Sequence, residues 1–67
     1  DPGVFPGTGT PEAGGIFFME FVESLKSISQ LNIVALDVNE LSPALDQSGA
    51  STALACKVVR ELLLAIH

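Results

Sequence analysis

The chain holds no tryptophan or tyrosine, one cysteine, one histidine and only three lysines plus arginines among 67 residues. A single Cys excludes an internal disulfide, and with a single His it excludes a zinc site built from those ligands. A lone thiol also suggests a reducing compartment, so a cytoplasmic location is expected. Three bases against eight acids give a net charge of −5. Nothing here could displace counterions from a phosphate backbone, which excludes nucleic acid as a partner. A small cationic molecule fits the charge better. The longest purely apolar run, Leu62 to Ile66, falls far short of the roughly 20 residues that a membrane span needs. The opening Asp-Pro-Gly has neither a basic stretch nor an apolar one, so no signal peptide is expected. With no Met in front, the sequence reads as though other residues precede it.

What is present is a core-forming composition, 48% hydrophobic and 16% charged, too apolar for a disordered segment. Residues 1–15 carry three Pro and five Gly and read as loop. From Ile16 the pattern changes. Phe18, Phe21, Val22, Leu25 and Ile28 recur at helical spacing, which predicts a helix over about Phe17 to Ser29. Glu20 and Glu23 suit its positive end, but no Ser, Thr or Asp stands where an N-cap is expected. Asn32 to Val38 is short, apolar and rich in β-branched residues without alternation, the pattern of a strand buried on both faces of a parallel sheet. Asn39 to Gln47 reads as loop. Ser48 to Ser51 offer N-caps for a second helix to about Ile66, with Leu54, Val58, Leu62 and Ile66 on one stripe, widened by Ala55, Val59 and Leu63.

That order, loop–helix–strand–loop–helix, gives the strand no partner. Each unpaired backbone group in a buried strand costs about 1–3 kcal/mol, so the expected resolution is a C-terminal part of a larger α/β protein.

The glycine-rich stretch Phe5 to Gly15 invites a phosphate reading, which its own residues refuse. A Walker loop needs Gly-Lys-Ser/Thr, whereas Gly9 is followed by Thr10-Pro11. A Rossmann turn needs a third Gly where Glu12 stands. A hydrolytic triad has no placed base, since His67 ends the chain. Cys56 is expected to pack in its helix as a small hydrophobe. Asp37, Glu40 and Asp46 are spread over a strand end and a loop, where such acids serve as turn formers or caps. Glu40 alone has a second reading. In parallel α/β sheets ligands bind at the carboxyl ends of strands, and Asp37-Val38-Asn39-Glu40 is such an end.

The stretch "DPGVFPGTGTPEAGG" resembles the third signature of the ureohydrolase (arginase/agmatinase) family, with its Asp-Pro, its Pro-Gly-Thr-Gly-Thr-Pro loop and its closing Gly-Gly. "NIVALDVNELSPALDQSGASTALACKVVRELL" resembles the final strand, substrate loop and C-terminal helix of the same family. The loop wording and the Asp-Gln-Ser are more agmatinase-like than arginase-like. The resemblance spans essentially the whole chain, and it departs from the family after Gly-Gly, where Ile16-Phe17 replace a capping Leu-Ser/Thr.

The resemblance implies a three-layer α-β-α fold with a parallel sheet, residues 1–67 being the C-terminal part of one ureohydrolase domain. It implies a binuclear Mn2+ cofactor whose ligands lie upstream of this segment, and hydrolysis of a guanidino compound, agmatine foremost, to an amine and urea. Asp1 matches an acid of the third signature that is not a metal ligand. Glu40 matches the carboxylate of an Asp-x-x-Glu-x-x-Pro element that pairs with the substrate guanidinium. Thr10 matches a loop threonine lining the same pocket, while Asp1 and Asp37 would organise loops. Expected partners are a small cationic guanidino substrate, the remainder of the domain and further copies of the chain in a homo-oligomer. Alone, the 67 residues would be inactive. The alternative is a truncated, non-enzymatic structural fragment that lacks the metal motifs.

Overall fold

The computed structural model describes residues 1–66. A loop over residues 1–17 leads into helix α1, Phe18–Ile28. An extended segment follows, then one turn of 3-10 helix at Pro43–Leu45, then helix α2, Ala50–Ala65. The two helices pack on each other.

Helix α1 forms where the apolar spacing predicts it. Leu25 is buried, and Phe18, Phe21, Val22 and Ile28 are half-buried on the same side. Its start lacks a capping side chain because Phe17 carries no acceptor. Instead Glu20 reaches back, and its Oε1 accepts the Phe17 N–H at 3.0 Å. That is the half of a capping box which needs no polar residue at the cap itself. Lys57 of α2 places its Nζ 4.8 Å above the Phe18 ring, a cation–π contact of about 0.5–1 kcal/mol at an exposed site.

Helix α2 turns the predicted stripe inward. Ala55 is buried and Leu54, Val58, Val59, Leu62 and Ile66 are half-buried. Leu63 departs from it and is exposed. Cys56 corrects the expectation of a packed thiol, for it faces solvent. Position 56 falls off the stripe set by positions 55, 58, 59 and 62.

The predicted strand does not form. Residues 32–38 are extended but carry no ladder, and no strand occurs among the described residues. The physical reason is the one foreseen for a lone strand: the chain contains nothing to pair with it. Val34 is 89% exposed, and Leu36 and Val38 are also open. Only a shallow hollow shared with Leu63 and Ile66 joins this segment to α2.

The molecule is looser than a complete domain of its size. It exposes 4860 Å², against about 4,000 Å² for a finished protein of this mass. Its Cα radius of gyration is 12.5 Å, against about 11 Å for a compact chain of this length.

Candidate functional site

The loop over residues 1–17 is tied down mostly by backbone. The Asp1 carbonyl accepts the N–H groups of Val4 and Phe5 at 3.0 and 2.9 Å. The Asp1 carboxylate accepts the Gly3 N–H at 2.8 Å, and the Asp1 nitrogen donates to the Ile16 carbonyl at 2.9 Å. Gly15 allows that closure, because a Cβ there would lie 2.7 Å from the Asp1 nitrogen. The loop therefore returns to its own start just before α1. Asp37 plays a similar part on the other side, where its Oδ2 accepts the Asn39 side-chain N–H at 2.8 Å.

Between these loops and the two helices lies a cleft of about 460 Å³. Phe18, Phe21, Leu54 and Val58 form its apolar floor, while Thr8, Thr10 and Asn39 contribute polar groups. Its acids are Asp1, Glu12 and Glu40, and among the described residues no Lys, Arg or His lines it. Carboxylates over an apolar floor favour a cation with a flat, weakly hydrated body.

The structure thus places Glu40 and Thr10, singled out at opposite ends of the sequence, on the same cleft. Both residues are exposed. Glu40 has a φ of 68°, the chain's one positive value outside glycine among the described residues. That left-handed conformation costs an L-residue about 1–2 kcal/mol. Such strain is a recognised companion of functional positions.

The described residues do not fit a metal centre. No three His, Cys, Asp or Glu side chains come together among them.

Sequence reasoning passed over the junction beneath the cleft. It counted Ser51 among possible helix caps, yet the Ser51 side chain turns inward and is 0% exposed. There its Oγ accepts the Gly7 N–H at 2.9 Å. The missed signal is positional: Ser51 shares the apolar stripe with Leu54, Ala55 and Val58, and a hydroxyl on a buried stripe needs a partner. The start of α2 is held by Ser48, whose Oγ accepts the Ala50 N–H at 3.1 Å, and by Asp46, whose Oδ2 accepts the Ser51 N–H at 2.8 Å and whose Oδ1 accepts the Ser48 N–H at 3.1 Å. The Ser48 hydroxyl also donates to Asp46. The Ser48 hydroxyl first, then the Ser51 side chain and backbone, lower the Asp46 pKa from 3.8 to about 2.

The profile of the Arginase family matches residues 1–65, and the chain belongs to that family. It is 46% identical over 66 residues to an agmatinase of Halalkalibacterium halodurans, covering 96% of this chain and 23% of that protein. It is 41% identical over 63 residues to the proclavaminate amidinohydrolase of Streptomyces clavuligerus, covering 94% and 20%. It is 39% identical over 66 residues to the mitochondrial guanidino acid hydrolase of Rattus norvegicus, covering 98% and 19%. The chain therefore spans about a fifth to a quarter of the length of these relatives. No solved structure matches it. Membership implies an α/β fold for the whole domain, of which the described residues form the helices and no sheet. No helix among them is long and apolar enough to cross a membrane.

Proposed function

We propose that the complete protein hydrolyses a guanidino compound, agmatine foremost, to an amine and urea. In this reading residues 1–67 are the C-terminal part of a single ureohydrolase domain and supply its substrate-side loops. The observation that carries it is the meeting of Glu40 and Thr10 on one acid-edged cleft in a chain of this family.

The chemistry of that cleft is binding and orientation. A guanidinium is planar with forked N–H donors, and a carboxylate accepts two of them in parallel. Paired with Glu40, the guanidinium keeps its central carbon in one place and one plane. Holding a reacting atom in line for attack can remove roughly 7–11 kcal/mol of barrier when the orientation is good. The Thr10 side chain lines the same cleft, and Asp1 and Asp37 hold the two loops. Three carboxylates and no base among the described lining residues favour agmatine, which is cationic at both ends, over a guanidino acid.

The nucleophile lies outside these residues. The family relationship favours manganese as the cofactor, held by ligands elsewhere in the domain. A cytoplasmic location and a homo-oligomer complete the proposal. The lone exposed Cys56 suits a reducing compartment, and the exposed Ile16, Phe17 and Met19 suit further burial.

Glu40→Gln in the complete protein keeps size but removes the charge and turns one acceptor oxygen into an NH2 donor. The expected result is a loss in kcat/KM on agmatine of at least about 100-fold, near 2.7 kcal/mol, with bound manganese unchanged. Turnover equal to wild type would remove Glu40 from the site. A wild type that turns over neither agmatine nor guanidino acids would remove the function.

A further inference from the structure

Gly7 is held by both of its backbone groups. Its N–H donates to Ser51 Oγ at 2.9 Å, and its carbonyl accepts the Ser42 N–H at 2.6 Å. Gly7 is buried, and Ser51 is the most deeply buried side chain among the described residues. Three segments therefore meet at one glycine. Gly7 lies on the loop that carries Thr10, Ser42 lies on the loop that carries Glu40, and Ser51 lies in the first turn of α2. The approach is close. A Cβ on Gly7 would lie 2.8 Å from Ser51 Cβ and 3.0 Å from Ser51 Oγ, with Asp46 Cβ at 3.3 Å. Ser51 is itself fixed from behind, since Asp46 accepts its backbone N–H.

We propose that Ser51 is a positioning residue. By holding Gly7 it sets the Thr10 loop at a fixed spacing from the Glu40 loop, so that the two sides of the cleft close on a single planar cation. The inference rests on the substrate-binding reading of Glu40 given above, and it adds the element that makes that geometry reproducible. Neither Thr10 nor Glu40 is buried, so neither side chain is located by its own packing. The buried hydroxyl between them is the rigid reference. Without it the Gly7 N–H loses its partner, and a loop shift on the order of 1 Å is enough to misplace a substrate.

The test is a double-mutant cycle in the complete protein, with kcat/KM on agmatine as the readout. Ser51→Ala is expected to lower kcat/KM about tenfold in the wild-type background. In the Glu40→Gln background the same change is expected to cost less than about twofold, because the geometry it protects has already lost its carboxylate. A merely structural serine would give equal losses in both backgrounds, and that additivity would overturn the proposal. A second measurement does not depend on the variant folding. In the wild type the Gly7 amide should exchange with solvent as slowly as the interior amides of α2, and rapid exchange would overturn the proposal. A wild type inactive on every guanidino compound removes the proposed function and this role with it. An active wild type with additive losses removes only the role of Ser51.

Discussion

The junction around Gly7 and the extended segment over residues 32–38 are opposites in how they are satisfied. At the junction every polar group finds a partner within the chain: Gly7 on Ser51 and Ser42, Ser51 and Ser48 on Asp46. No buried side-chain nitrogen or oxygen among the described residues lacks a partner. The extended segment has almost none of this. Its one backbone bond from Ile33 reaches only to Leu31, and its apolar side chains stand open. The difference separates what is built locally from what needs a neighbour. A turn of helix, a cap and a glycine contact are completed by residues close in space along one short chain. A strand is a property of a pair.

The largest test of this contrast changes the open segment. Val34→Asp should be harmless if residue 34 stays 89% exposed, because surface changes fall within about 0.5 kcal/mol. The account expects the remainder of the domain to cover it. In the complete protein the loss in a denaturant titration should then be at least about 3 kcal/mol, the cost of an uncompensated buried charge. A loss within about 0.5 kcal/mol, by the same surface criterion, would show that this segment is not a buried strand.

Next comes a break at the junction. Gly7→Ala pushes a methyl into a gap already closed by Ser51 at 2.8 Å, and overpacking of this kind costs about 1–3 kcal/mol. The midpoint of denaturant unfolding should fall by that amount with an unchanged slope. A neutral substitution would mean that the Thr10 loop is not seated on α2.

The smallest effect is one of pH. Asp46 has its pKa lowered on folding to about 2, so its contribution is fully present above the ordinary 3.8. It is lost as pH falls from about 4 toward 2, since the unfolded chain binds the proton first. Exchange of the amides that open α2, followed over that range, should accelerate in the wild type and stay flat in Asp46→Ala. Equal acceleration in both would assign the effect to another acid.

How much of this was legible beforehand follows the same division. Helix α1 was readable almost to the residue, because a stripe of Phe and Leu at helical spacing and one reach-back Glu are local facts. Of the caps read for α2, Ser48 serves as one, while the share that Asp46 takes was legible only as the general habit of loop acids. The family was readable in the Pro-Gly-Thr-Gly-Thr-Pro loop. The strand was readable only as a demand, since seven apolar residues cannot say where their partner lies. The Gly7–Ser51 contact was invisible for a related reason: it spans 44 positions, and no periodicity links a loop glycine to a helix serine. The left-handed backbone of Glu40 carried no signal either, since its neighbours Asn39 and Leu41 do not require it.

The central claim is that the Glu40 carboxylate faces the guanidinium of the substrate in the cleft that Thr10 also lines. A structure of the complete protein with a bound guanidino compound measures it directly. The account predicts both Glu40 oxygens within about 3 Å of guanidinium nitrogens, with the Thr10 loop lining the same cleft. A ligand bound elsewhere, with Glu40 turned to solvent, would contradict it.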